Sequence, residues 1–105
     1  MDPVPLCVEV DRSPGQATVR VAGEIDLMTA SRLAATLEEL LEQGHRSVEV
    51  DLRGVRFLAA AGLTVLVDAD RRYRARSARL RLVCPTRACV RLFRLASLEG
   101  MLTIR

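Results

Sequence analysis

Glu24 and Asp26 come nearest to a catalytic pair in this chain, two carboxylates of the kind that do acid–base chemistry. Set two residues apart at the end of an alternating stretch, they are better placed to face solvent or brace a neighbouring loop. A nucleophile needs a Ser, Cys or Lys beside a base. His45, the only histidine, lies in a Gly-His-Arg turn, and the chain has no lysine. Cys7, Cys84 and Cys89 make an odd count with no CxxC and no zinc-ligand spacing, so no metal is expected. Cys84 and Cys89 could form a redox pair, but by residue type they read first as small buried hydrophobes. No P-loop, GxGxxG or HExxH is present, so no cofactor is expected and the chain does not read as an enzyme.

Two stretches remain. Every basic residue is arginine, and RRYRARSARLR (71–81) holds six of them in a chain of net charge +3. That run is either a nucleic-acid patch, though without an aromatic platform or a known motif, or a solvated helix end whose charge complements the dipole. The other stretch is FLAAAGLTVLV (57–67), which follows a strand-like segment. A helix starting there offers unpaired N–H groups and would ordinarily be capped by Ser, Thr, Asp or Asn. Ala59, Ala60 and Ala61 supply no oxygen, nucleophile or charge.

The elements that must position these residues follow from periodicity. With 105 residues, half of them hydrophobic and only Phe57, Tyr73 and Phe93 aromatic, the chain suits one domain over residues 1–105 with an aliphatic core. MDPVPLCVEV lacks a basic start followed by an apolar run, and no stretch reaches the ~20 apolar residues of a membrane span. A cytoplasmic protein without membrane contact is the expectation.

LCVEVD (6–11) and ATVRVAG (17–23) alternate as two strands around the RSPGQ turn. A helix from about Thr29, its expected N-cap, to a stop at Gly44 buries Ala30, Leu33, Ala34, Leu37, Leu40 and Leu41. SVEVDL (47–52) is a third strand, and RGVRF (53–57) is a loop. A second helix over 60–75 buries Leu63, Leu66, Val67 and Tyr73 and exposes Asp68 and 70–74. LRLVC (80–84) is a strand. Pro85 and Thr86 open a third helix with Cys89, Leu92, Phe93 and Ala96 inward, and MLTI (101–104) makes a last strand. The order β-β-α-β-α-β-α-β predicts an α/β fold with a mixed sheet of about five strands and helices packed on it.

On that pattern, VEVDLRGVRFLAAAGLTVL (48–66) resembles the signature of STAS domains, specifically the bacterial anti-sigma-factor antagonists. Gly23-Glu24-Ile25-Asp26 with Thr29, and CPTRACVRLFRLASLEGMLTI (84–104), resemble two further stretches of the family, so the likeness spans about residues 4–104. It implies a STAS-like domain that binds an anti-sigma factor, often a small ATP-dependent serine kinase, and so releases a sigma factor. In that family the kinase phosphorylates a serine at the start of the second helix, and the added charge weakens docking. Here the motif Asp falls on Ala59 and the acceptor Ser on Ala60, so the resemblance implies a scaffold without its switch. Asp26, Thr29, Ala59, Ala60, Ala61, Gly62, Leu63 and Thr64 are its implied partner face. Thr64, one turn beyond Ala60, is a substitute acceptor to consider. Plain packing would also account for the small residues, since they let a helix sit close to a sheet.

Overall fold

The computed structural model describes residues 6–95. Strand β1 (Cys7–Ser13) turns through Pro14 and Gly15 into β2 (Gln16–Ile25). Gly15 sits at φ +75°, a conformation that glycine adopts without steric cost. Helix α1 (Ala30–Glu42) leads to β3 (Ser47–Leu58), α2 (Ala60–Ala75), β4 (Arg79–Val83) and α3 (Arg87–Leu95). The described strands form one four-stranded sheet in the order β1-β2-β3-β4, with β1–β2 antiparallel and the remaining pairs parallel. The expected fifth strand, 101–104, and Ala96 lie outside the described residues.

Both crossovers, β2–α1–β3 and β3–α2–β4, step in the same direction across the sheet. Right-handedness therefore puts α1 and α2 on one face, where they touch each other. Val19, Val21, Val48, Val50, Leu52, Leu80 and Leu82 point into that layer against Leu33, Leu37, Leu40 and Leu66. Each such side chain contributes roughly 1.5–3 kcal/mol by leaving water. Tyr73 joins the two helices, its hydroxyl donating to the Leu37 carbonyl at 2.6 Å, and burial pushes its pKa up. The opposite face is polar and carries the Arg20–Asp11 and Arg81–Glu49 ion pairs.

Three local expectations are corrected. Residues 53–57 are strand, not loop, because β2 continues to pair with β3 out to Ile25↔Leu58. Two register shifts, between Arg20 and Ala22 and between Gly23 and Glu24, break the alternation. Burial then falls on Leu52, Val55 and Leu58, a spacing of three that does not read as a strand. Gly54 is required at the first shift, since a Cβ there would lie 2.7 Å from the Ala22 Cβ. Asp70, expected on the polar side of α2, is buried beside Arg74 at 3.0 Å, whereas Val67 is only partly buried. The third concerns the start of α1. Thr29 occupies the N-cap position, but its side chain makes no capping bond.

Gly44 does end α1, at φ +89°. The Gly44 N–H bonds the Leu41 carbonyl and the His45 N–H the Leu40 carbonyl, a Schellman arrangement. Helix α2 ends in the same way, with Ser77 at φ +56° in the glycine position. Thr86 opens α3, its hydroxyl accepting from the Cys89 N–H at 3.4 Å.

Candidate protein-docking face

The C-terminal ends of β2 and β3 stop side by side, Ile25 opposite Leu58, and each strand then hands over to a helix. The Ala59 N–H donates to the Ile25 carbonyl at 2.8 Å and ties the two exits together. Beyond that bond the chain makes a turn (26–29) on one side and begins α2 on the other.

The turn is held from inside. Asp26 Oδ1 accepts the N–H groups of Met28 and Thr29, each at 2.9 Å, while Thr29 Oγ1 accepts the Asp26 N–H at 2.9 Å. The Thr29 hydroxyl donates to the Glu24 carbonyl at 2.9 Å, with Asp26 Oδ1 alongside at 3.1 Å. The Thr29 N–H and hydroxyl, followed by the Met28 N–H, hold the Asp26 carboxyl below its usual value. Asp26 and Thr29 are thus spent on each other and on the turn. What the turn displays is the pair between them, Leu27 and Met28, 78% and 83% exposed. Across the strand exit Phe57 is also half-exposed. Sequence reasoning missed all three. For Leu27 and Met28 the available signal was an apolar pair bracketed by two turn-forming polar residues, Asp26 and Thr29.

At α2 the first turn divides in two. Gly62 and Leu63 are buried. A Cβ on Gly62 would fall 2.6 Å from both Ile25 Cγ2 and Leu58 Cδ1, so the helix start rests directly on the paired strand ends. Both residues of the expected partner face therefore lie beneath the surface. Ala60 and Thr64 face solvent, and Ala59 and Ala61 are partly buried. The Thr64 hydroxyl donates to the Ala60 carbonyl at 3.1 Å. Ala59, at the cap position, is extended and gives the helix no side-chain acceptor, which leaves the first N–H groups open to an outside acceptor.

The remaining candidates are not gathered here. The thiols of Cys84 and Cys89 are unpaired and turn apart. Cys84 is exposed and accepts from Arg53 Nη2 at 3.3 Å, while Cys89 is buried and accepts from the Thr86 hydroxyl at 3.3 Å. His45 stays in its turn, with Nδ1 3.1 Å from the Leu40 carbonyl. The arginine run 71–81 is split: Arg72 pairs with Glu38 of α1 at 3.3 Å, Arg74 with Asp70, and Arg81 with Glu49. Among the described residues, no group of His, Cys, Asp and Glu is placed to hold a metal, and no helix is long and apolar enough to cross a membrane.

This sheet, with two helices starting from adjacent parallel strand ends, defines the class. Residues 8–103 match the family model described as Mlab, STAS domain, and the chain belongs to the STAS domain family. Among its relatives, the anti-sigma-B factor antagonist of Listeria monocytogenes is 30% identical over 101 residues, covering 95% of this chain and 89% of that protein. The anti-sigma-F factor antagonist RsfB of Mycobacterium tuberculosis is 34% identical over 64 residues, 61% of this chain and 52% of RsfB, so the match spans about half of that relative. The Bacillus protein SpoIIAA shares the fold in two solved forms. The unphosphorylated one has a TM-score of 0.81 at 16% identity, covering 94% of this chain and 88% of that one. The phosphorylated one has a TM-score of 0.75 at 14% identity, covering 94% and 91%.

Proposed function

We propose that the chain is an anti-sigma-factor antagonist that docks through Leu27, Met28, Phe57, Ala60 and Thr64 and lacks the phosphate switch at Ala60. Its partner on this reading is an anti-sigma factor of ATPase or serine-kinase fold, and the chain itself catalyses nothing. The names of the relatives support the class of partner. The observation that carries the finer reading is the exposure of Ala60. Packing accounts for Gly62, which lies against Ile25 and Leu58, but asks for nothing at Ala60, where a serine hydroxyl would meet only solvent. Where the family pattern places a modifiable serine, the chain presents a methyl group at the mouth of a helix, beside three exposed apolar side chains. Such a surface binds by burying apolar area and by offering helix N–H groups, with no charge to repel the partner.

The test is capture from bacterial cytosol in the presence of ATP, with identification of bound proteins and the intact mass of the bait. An ATPase-fold anti-sigma factor on a bait of unchanged mass supports constitutive docking. A bait heavier by one phosphoryl group means that the switch has moved, and Thr64→Ala then shows whether Thr64 carries it. If no anti-sigma factor is recovered, the reading fails.

A further inference from the structure

The opposite pole of the sheet, where β3 and β4 begin, carries a groove of about 810 Å³ lined by Arg46, Arg74, Arg79 and Arg81, with Asp70 at its wall. It is separate from the docking face: β3 alone spans Ser47 to Leu58, on the order of 30 Å at ~3.3 Å per residue. Four arginines line the groove for a structural reason. The Arg79 N–H donates to the Arg46 carbonyl at 2.7 Å, and Ser47 is the register partner of Arg79, so parallel pairing starts with Arg46 one residue ahead of the Ser47–Arg79 pair. Helix α2 then delivers Arg74, itself exposed, through its i,i+4 pairing with the buried Asp70.

The charges are unequally compensated. Arg74 is held by Asp70 at 3.0 Å and Arg81 by Glu49 at 3.1 Å. Arg81 Nε is buried with no acceptor among the described residues. The Arg46 and Arg79 side chains have no hydrogen-bonded or ion-paired partner among the described residues. Two unpartnered arginines thus line a concavity of the size that holds small ligands. Arg71 on α2 and Arg76 at its C-cap are, by contrast, exposed outside the groove.

From this arginine-lined groove we infer a binding site for a phosphate-bearing small molecule, with Arg46 and Arg79 available to the oxyanion and Arg74 and Arg81 held by their carboxylates. Guanidinium forks match phosphate oxygens two at a time, and a diphosphate offers oxygens to more than one arginine. The rest of the groove leaves room for the body of the ligand. Because Arg46 and Arg79 are solvent-exposed, the affinity is modest and salt-sensitive.

The test is calorimetric titration of the whole chain with inorganic pyrophosphate at constant ionic strength, repeated with Arg46→Gln/Arg79→Gln and with Arg71→Gln/Arg76→Gln. The two double variants remove the same charge, inside and outside the groove. Saturable binding by the wild type and by Arg71→Gln/Arg76→Gln, weakened about tenfold or more in Arg46→Gln/Arg79→Gln, supports the site. Equal weakening by both pairs reduces the effect to net charge and overturns it, as does the absence of saturable binding. A second arm uses phosphatidic acid vesicles: binding to vesicles without binding to pyrophosphate assigns the arginines to a lipid surface and overturns the small-molecule site. Thermal melts of each variant confirm that the protein titrated is folded.

Discussion

Gly62→Ala adds a single methyl group where the helix start meets the strand ends, and the geometry predicts that it destabilises the protein. The new Cβ would lie 2.6 Å from Ile25 Cγ2 and 2.6 Å from Leu58 Cδ1, about 1 Å inside ordinary carbon contact. Leu58 Cδ1 ends a flexible side chain and can move. Ile25 is wholly buried and β-branched, so its Cγ2 moves only if the strand or the helix does. Overpacking of this kind costs about 1–3 kcal/mol. Alanine returns up to ~1 kcal/mol in helix propensity, and less in a first turn. The net is a loss of about 1–2 kcal/mol, or a fall in Tm of roughly 5–10 °C for a domain of this size. Thermal and urea unfolding by circular dichroism measure it. Leu58→Val removes Cδ1, so Gly62→Ala with Leu58→Val should cost less than the sum of the two single changes. A Tm that holds or rises, or strictly additive costs, would show that α2 does not rest on Ile25 and Leu58 as described.

Other expectations follow from single contacts. Leu27→Ala/Met28→Ala should leave the Tm within about 2–4 °C of wild type, because both side chains are exposed, yet weaken anti-sigma-factor binding about tenfold or more; calorimetry on the same preparation reads both. Ser77→Gly relieves a left-handed residue at φ +56°. Set against the backbone entropy of glycine, the net gain should be about 0.5–1 kcal/mol, seen as a rise in Tm, whereas Gly44→Ala at φ +89° should lower it. The Asp26 carboxyl lies below its usual 3.8 in the folded protein. Its contribution is therefore complete above the unfolded value and lost as pH falls through the lower folded one. Amide exchange at Met28 and Thr29 should accelerate over that acid window in the wild type, and Asp26→Ala should show fast exchange already at neutral pH.

Element order was legible because the chain keeps its periods where the structure is regular. The 3.6-residue stripe of α1 and the alternation of β1, β2 and the first half of β3 carry through to the burial pattern, and α2 begins and ends where its residues suggest. The second half of β3 was not legible. Two register shifts convert a period of two into Leu52, Val55 and Leu58, and Gly54 reads as a turn residue when it is a contact with Ala22. Asp70 misled for a different reason: its partner Arg74 sits one turn on along the same helix, and composition alone does not show which side of the helix the pair is on. At the proposed docking face, the resemblance singled out Asp26 and Thr29, which brace the turn, and Gly62 and Leu63, which lie beneath the surface. The displayed residues, Leu27, Met28 and Phe57, carry no polar signal, and only the path of the backbone shows that they face outward.

The central claim is that Ala60 stands on a docking face with no phosphate control. Its most direct test is the affinity of the anti-sigma factor for the wild-type chain and for Ala60→Asp, each measured before and after incubation with ATP. The account predicts one unchanged Kd for the wild type under both conditions. It predicts binding weaker by about tenfold or more for Ala60→Asp, where an unpaired carboxylate must be desolvated. Equal affinities for the two proteins, or loss of wild-type binding on adding ATP, would contradict it.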